Sequence, residues 1–187
     1  MQRRLFLQLP LVASSFAFVL PPLAELRNAT QKLPKKGVLV RAGQDRYDQP
    51  FKFLDATFTV KVSGKDTDGR CVIFDTLRHE KVGPMLHAHT DCDEWFFVMD
   101  GEFKFQVGDD ILRLKAGDSL LAPLGVPHAF VKTSEGTARL VIMHQPAGTM
   151  EEHFRTASLE PDQSLEARRA RAEKHGMRYI GPPLKPD

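Results

Sequence analysis

Glu102, Lys104 and Gln106 alternate with Phe103, Phe105 and Val107. A two-residue period of this kind belongs to a strand with one face buried and the other wet. Strand-like runs recur from Thr57 to Gln145. TFTVKVS (57–63), RCVIFDTLR (70–78), EWFFVMD (94–100) and EFKFQV (102–107) come first, followed by ILRL (111–114), DSLLA (118–122), HAFVKT (128–133) and ARLVIMHQ (138–145). GKDTDG, DG, GDD, AGD and SEGT separate them as turns. Many short strands joined by glycine-bearing turns predict an all-β antiparallel sandwich or barrel over residues 57–146. The 187 residues suffice for one such domain with a core and short appendages. No repeat at solenoid spacing competes with that reading.

The flanks differ in character. Residues 25–56 are polar and broken by Pro34, Gly37, Gly43 and Pro50, which predicts an extended arm with one strand near Val38 to Arg41. Helix is expected only in the tail, 147–187: MEEHFRTA is short and amphipathic, and a second helix runs from a cap at Ser164 to Gly176. Its arginines are interspersed with Glu166 and Glu173, as on a solvated surface helix. The first 24 residues read as an export signal, with Arg3 and Arg4 before an uncharged run that ends at Pro21-Pro22. That run is too short for a spanning helix. RRLFLQ resembles the twin-arginine export motif, which implies a periplasmic or extracellular protein folded before transport; Ser15-Phe16-Ala17 is the candidate cleavage triplet. The alternative is a cytoplasmic protein with a hydrophobic arm. With a formal net charge of +2, nothing steers the chain toward nucleic acid or an acidic membrane. Two cysteines, Cys71 and Cys92, allow a single bridge at most.

The chemistry concentrates in HAHTDCDEWFFVMDG, residues 87–101. Residues two apart on a strand share a face, their Cα atoms roughly 6.6 Å apart, so His87 and His89 aim to one side. Two imidazoles so placed can meet one ion at roughly 2.0–2.1 Å. Thr90 to Asp93 read as a turn, which puts Glu94 at the start of the next antiparallel strand, facing the same interior. A carboxylate there offsets the charge of an ion and fixes its geometry. Met85 shares phase with the two histidines, and Phe96 and Val98 share it with Glu94, so the donors lie among apolar side chains. A second stretch, GDSLLAPLGVPHAFVK (117–132), kinks at Pro123, Gly125 and Pro127 and brings in His128, with Phe130 on its face. Cys92 offers a less plausible thiolate. His79 and His144 read as hydrogen-bonded histidines near strand ends, His153 and His175 carry no assigned role, and Trp95, Phe97 and Met99 face away from Glu94 as packing residues.

These stretches resemble the two cupin motifs. Gly83-x3-His87-x-His89-x4-Glu94-x6-Gly101 is similar to the first, and Gly117-x5-Pro123-x-Gly125-x2-His128-x3-Lys132 to the second. The spacing from Gly83 to His87 is shorter than usual in the family, and Lys132 stands where many members have asparagine. The resemblance implies a double-stranded β-helix, a small jelly-roll barrel. It also implies one divalent transition metal ion (iron, manganese, nickel, copper or zinc) on His87, His89, Glu94 and His128, and a homodimer. Within the family the chain looks like single-domain relatives of quercetin dioxygenase, which implies a dioxygenase acting on a small enolisable or aromatic, flavonol-like substrate. Glu94 would then be a ligand or a general base, and Met85, Phe96, Phe105 and Phe130 would shape the substrate pocket. A metal-dependent isomerase, decarboxylase or lyase is the alternative, and a non-enzymatic binder of a metal or small ligand is the third.

Overall fold

The computed structural model describes residues 36–157 and 159–187. The expected export signal and the first part of the arm lie outside the described residues. No helix among the described residues is long and apolar enough to cross a membrane.

Among the described residues eleven strands follow in chain order: β1 (Phe51–Phe53), β2 (Ala56–Val62), β3 (Val72–Arg78), β4 (Met85–His89), β5 (Asp93–Asp100), β6 (Glu102–Val107), β7 (Asp110–Lys115), β8 (Ser119–Ala122), β9 (His128–Lys132), β10 (Ala138–Gln145) and β11 (Met177–Pro183). Two short helices, α1 (Met150–Ala157) and α2 (Leu165–Lys174), precede β11. The strands form a six-stranded sheet ordered β1-β2-β3-β10-β5-β8 and a five-stranded sheet ordered β11-β4-β9-β6-β7. Every pairing is antiparallel. The all-β antiparallel architecture expected from the period-two runs is the one observed, in the jelly-roll form that the cupin resemblance implies.

Strand phase builds the core. Val72, Phe74 and Thr76 point inward from β3, Phe96 and Val98 from β5, Phe103 and Phe105 from β6, and Leu140 and Ile142 from β10, all of them buried. Phenylalanines from the two sheets interlock: Phe96 meets Phe105 at 4.9 Å and Phe130 at 5.5 Å between ring centroids. Phe154 of α1 adds to this packing against Phe58 and Phe74, each at 5.2 Å, so the apolar stripe of α1 closes the barrel. On the outer face of β5, Trp95 and Phe97 stack at 5.9 Å while Met99 is exposed.

Two expectations need correction. No strand forms over Val38–Arg41; Val38 and Leu39 are exposed, and apolar β-formers without a face to bury do not make a ladder. The arm instead joins the sheet later, through β1 paired with β2 from Phe51↔Phe58 to Phe53↔Ala56. It is pinned by the buried Asp45, whose carboxylate accepts from the backbone N–H of Val60 (2.6 Å), Tyr47 (2.8 Å) and Gln49 (3.2 Å). Finally, the tail is not wholly helical: β11 pairs with β4 and places Tyr179 opposite His87. Its register shifts around Gly181 and Pro183 suit an edge strand, where a missing N–H costs no internal ladder bond.

Candidate metal centre

His87 and His89 stand on β4, Glu94 opens β5 after the Thr90–Cys92 turn, and His128 opens β9 directly opposite His87. The strands come from both sheets, and their inward faces bring the four side chains together. One donor atom from each lies within 4.8 Å of the others, all four residues being buried. Glu94 Oε2 is the centre of the group: His128 Nε2 is 2.8 Å away, His89 Nε2 3.0 Å and His87 Nε2 3.9 Å.

The outer nitrogens fix which ring atom faces inward. His87 Nδ1 lies 2.8 Å from the Met85 carbonyl, and His128 Nδ1 lies 2.9 Å from the Val126 carbonyl. A carbonyl only accepts, so each Nδ1 carries the hydrogen and a neutral ring turns the Nε2 lone pair toward Glu94. Lone pairs facing a carboxylate oxygen at such distances repel unless a cation stands between them. A proton serves only in part. Burial first, then the neighbouring His128, pushes the His87 pKa down to about 3. Burial also opposes a charged His128, but its hydrogen bond and attraction to Glu94 outweigh that and raise its pKa. One divalent ion answers all the lone pairs together, so the donor set fits a metal.

Burial opposes the Glu94 carboxylate as well, yet attraction to His144 and the contacts with His128 and His89 hold its pKa well below the usual range. It is therefore a carboxylate, suited to ligation and a weak general base. His144 is not the hydrogen-bonded strand-end residue expected. It is wholly buried, pairs with Glu94 across β10 and β5, and sets Nε2 3.4 Å from Oε1. Neither ring nitrogen has a hydrogen-bond partner, so we take the Glu94 contact as electrostatic. Burial lowers its pKa. His79, by contrast, is exposed at its strand end and meets Thr57 Oγ1 at 3.1 Å.

Cys71 and Cys92 are free thiols. Cys92 lies with His89 and Asp91 in a second close group, but burial and the acidic neighbours raise its pKa, which disfavours a thiolate donor. Lys132 serves the fold: buried, its Nζ donates to the carbonyls of His79 (2.9 Å) and Gly136.

A cavity opens on the cluster at His87 and Glu94. Met85 and Phe130 line it. Phe96 and Phe105 do not; they share the inward phase but sit behind Phe130, 5.5 and 5.4 Å from its ring, as the floor of the core. The sequence reading missed Arg78, His153, Arg168 and Tyr179, which complete the wall. Phase would have found two of them. Arg78 continues the inward series Val72, Phe74, Thr76 on β3, and His153 lies in the buried stripe Met150, His153, Phe154, Ala157 of α1.

Residues 74–144, which span the cluster and its flanking strands, match the cupin domain. The barrel has the cupin fold. Among solved structures it is similar to a predicted oxalate decarboxylase from Thermotoga maritima, with a TM-score of 0.53 at 16% identity over 58% of this chain and 98% of that one. KdgF from a Halomonas species aligns with a TM-score of 0.47 at 16% identity, over 52% of this chain and 86% of the other. At 16% identity the likeness to the Thermotoga maritima structure is one of fold alone. The uncharacterized protein YdbB of Bacillus subtilis (strain 168) is 38% identical over 65 residues, 34% of this chain and 57% of that protein. The chain thus matches little more than half the length of this relative.

Proposed function

We propose that the protein is a metal-dependent enzyme that converts a small enolisable substrate held in the barrel cavity, with molecular oxygen as co-substrate. The observation that carries the reading is the convergence of three imidazoles and a carboxylate beside a cavity, with the tautomers of His87 and His128 set by backbone carbonyls. His87, His89, Glu94 and His128 would hold the ion. Such an ion leaves positions open to substrate and supplies Lewis acidity and, for a redox-active metal, a route for electrons to oxygen. Glu94 stays ionised and balances its charge. Met85, Phe130 and Phe154 exclude bulk water from the cavity wall, strengthening the polar contacts made there. The three-His, one-carboxylate set suits iron, manganese, nickel, copper or zinc alike.

The test is an assay of metal-loaded protein against enolisable aromatics and small acids, in air and under argon. Substrate loss with matching oxygen uptake is expected, and none under argon. Equal turnover under argon would overturn the oxygenase reading in favour of an isomerase, decarboxylase or lyase using the ion as a Lewis acid. A ligand that binds and is never consumed would overturn both.

A further inference from the structure

Arg78 occupies a core position. Its side chain is 2% exposed, in the inward phase of β3, and packs over the rings of Phe58 (5.2 Å) and Phe130 (4.8 Å) from its guanidinium carbon. A buried guanidinium needs partners for its donors, and this one is poorly supplied. Nε donates to Thr76 Oγ1 at 3.3 Å, and Nη1 reaches Asp55 Oδ1 only at 3.5 Å. Nη2 has no partner among the described residues. A structural arginine would be expected to grip its carboxylate with two parallel bonds, as Arg139 grips Asp75 through Nε and Nη2. Arg78 does not, and it faces the same cavity as His87 and Glu94. Burial works against its positive charge, with Asp55 and Glu94 acting the other way.

We propose that the substrate is a small carboxylic acid whose carboxylate is held by the Arg78 guanidinium while the remainder of the molecule reaches the metal cluster. The inference rests on the metal-enzyme reading above and narrows its substrate class, away from neutral flavonols. Charge balance agrees. With a divalent ion in place, the ion and Arg78 outweigh Glu94 and Asp55 by one positive charge, which a monoanion neutralises. The approach is cationic too. An adjoining outer cavity shares Arg168 with the inner one and adds Arg171, against the single carboxylate of Glu160. The Arg168 side chain has no ion-pair or hydrogen-bond partner among the described residues, so it is free to draw an acid inward.

Calorimetric titration of the metal-loaded protein with pyruvate, 2-oxobutyrate and acetoacetate, and with the corresponding neutral amides, decides the matter. At least one acid should bind far more tightly than its amide. Arg78→Met alone would strand the buried Asp55, so the informative variant is Arg78→Met with Asp55→Asn. It should keep its metal content and circular dichroism yet lose about 30-fold or more in acid affinity, the loss expected on removing one side of a buried charged contact. Arg78→Lys keeps the charge and the Asp55 pair but not the planar fork, and should lose about tenfold or more; it decides the question if the double variant does not fold. Acids and amides binding alike, no acid binding at all, or unchanged acid affinity in a folded variant would each overturn the proposal. A protein that takes up no metal would sink the enzymatic reading instead, and the dependence of acid binding on Arg78 would still decide this one.

Discussion

His153 is a polar residue in an apolar place. It is 3% exposed in the buried stripe of α1, against Phe53 and Phe154, with Nε2 unpartnered. Burial first, then His175 and Arg171, depresses its pKa from 6.5 to about 3. A histidine whose pKa is lower folded than unfolded takes up its proton on unfolding. Its contribution is therefore full above the unfolded value of 6.5 and is lost as pH falls toward about 3. Across that window one such group steepens the loss of stability by up to about 1.4 kcal/mol per pH unit. His153→Phe should flatten the acid limb of the metal-free protein, read as urea midpoints between pH 7 and 4, with His87, His144 and His175 contributing to the remaining slope. Parallel limbs in variant and wild type would refute this. Motif spacing made His87, His89, Glu94 and His128 legible in the sequence because metal ligands must sit at fixed intervals. Arg78, His144 and His153 belong to no such interval. Only their inward phase marks them, and phase does not say whether a buried polar group serves the fold or the site.

Gly83 lies in the connection between β3 and β4, where a backbone crossing sets the positions of two ligand strands. A Cβ there would lie 1.7 Å from the Phe130 carbonyl oxygen and 2.9 Å from its carbon. Those are backbone atoms of β9, the strand that carries His128, and Gly83 leads into β4, which carries His87. Gly83→Ala must therefore push two ladders apart. A loss of about 3 kcal/mol in urea unfolding is expected, typical of overpacking that cannot be relieved by a side-chain rotation. Weaker metal uptake should accompany it. Gly37→Ala, with nothing within 4 Å of its added Cβ, is the control and should stay within about 0.5 kcal/mol of wild type. If the two variants lose equally, the close approach is not what demands glycine at 83. At this scale the sequence was readable where period two ran for several residues, as in β5, β6 and β10. It was not readable for β1, three residues long, or for β11, whose Pro182 and Pro183 suggest a chain that has left its sheet. The edge of a sheet tolerates both, and tertiary contact with β2 and β4 decides what local preference leaves open.

The buried cluster of three histidines and Glu94 ties the two sheets together, since β4 and β9 belong to one and β5 to the other. An ion bound by His87, His89, Glu94 and His128 would exist only in the folded molecule, so its binding free energy adds to the stability of the whole barrel. At a hundredfold excess over the dissociation constant the gain is about 2.7 kcal/mol. For a domain of this size each kcal/mol raises the melting temperature by roughly 2–4 °C, so loading should raise Tm by roughly 5–10 °C. A chelator should reverse the shift. His128→Ala removes the nitrogen nearest Glu94 Oε2, and should abolish most of the shift whatever it does to the metal-free Tm. Comparing each protein with its own chelated form separates lost ligation from lost packing, because the packing change is present in both arms. A shift of full size in the variant would mean that the ion is held elsewhere. The buried carboxylate would then need another cation to face its histidines, and protonation of His128, already favoured by Glu94, would have to supply it.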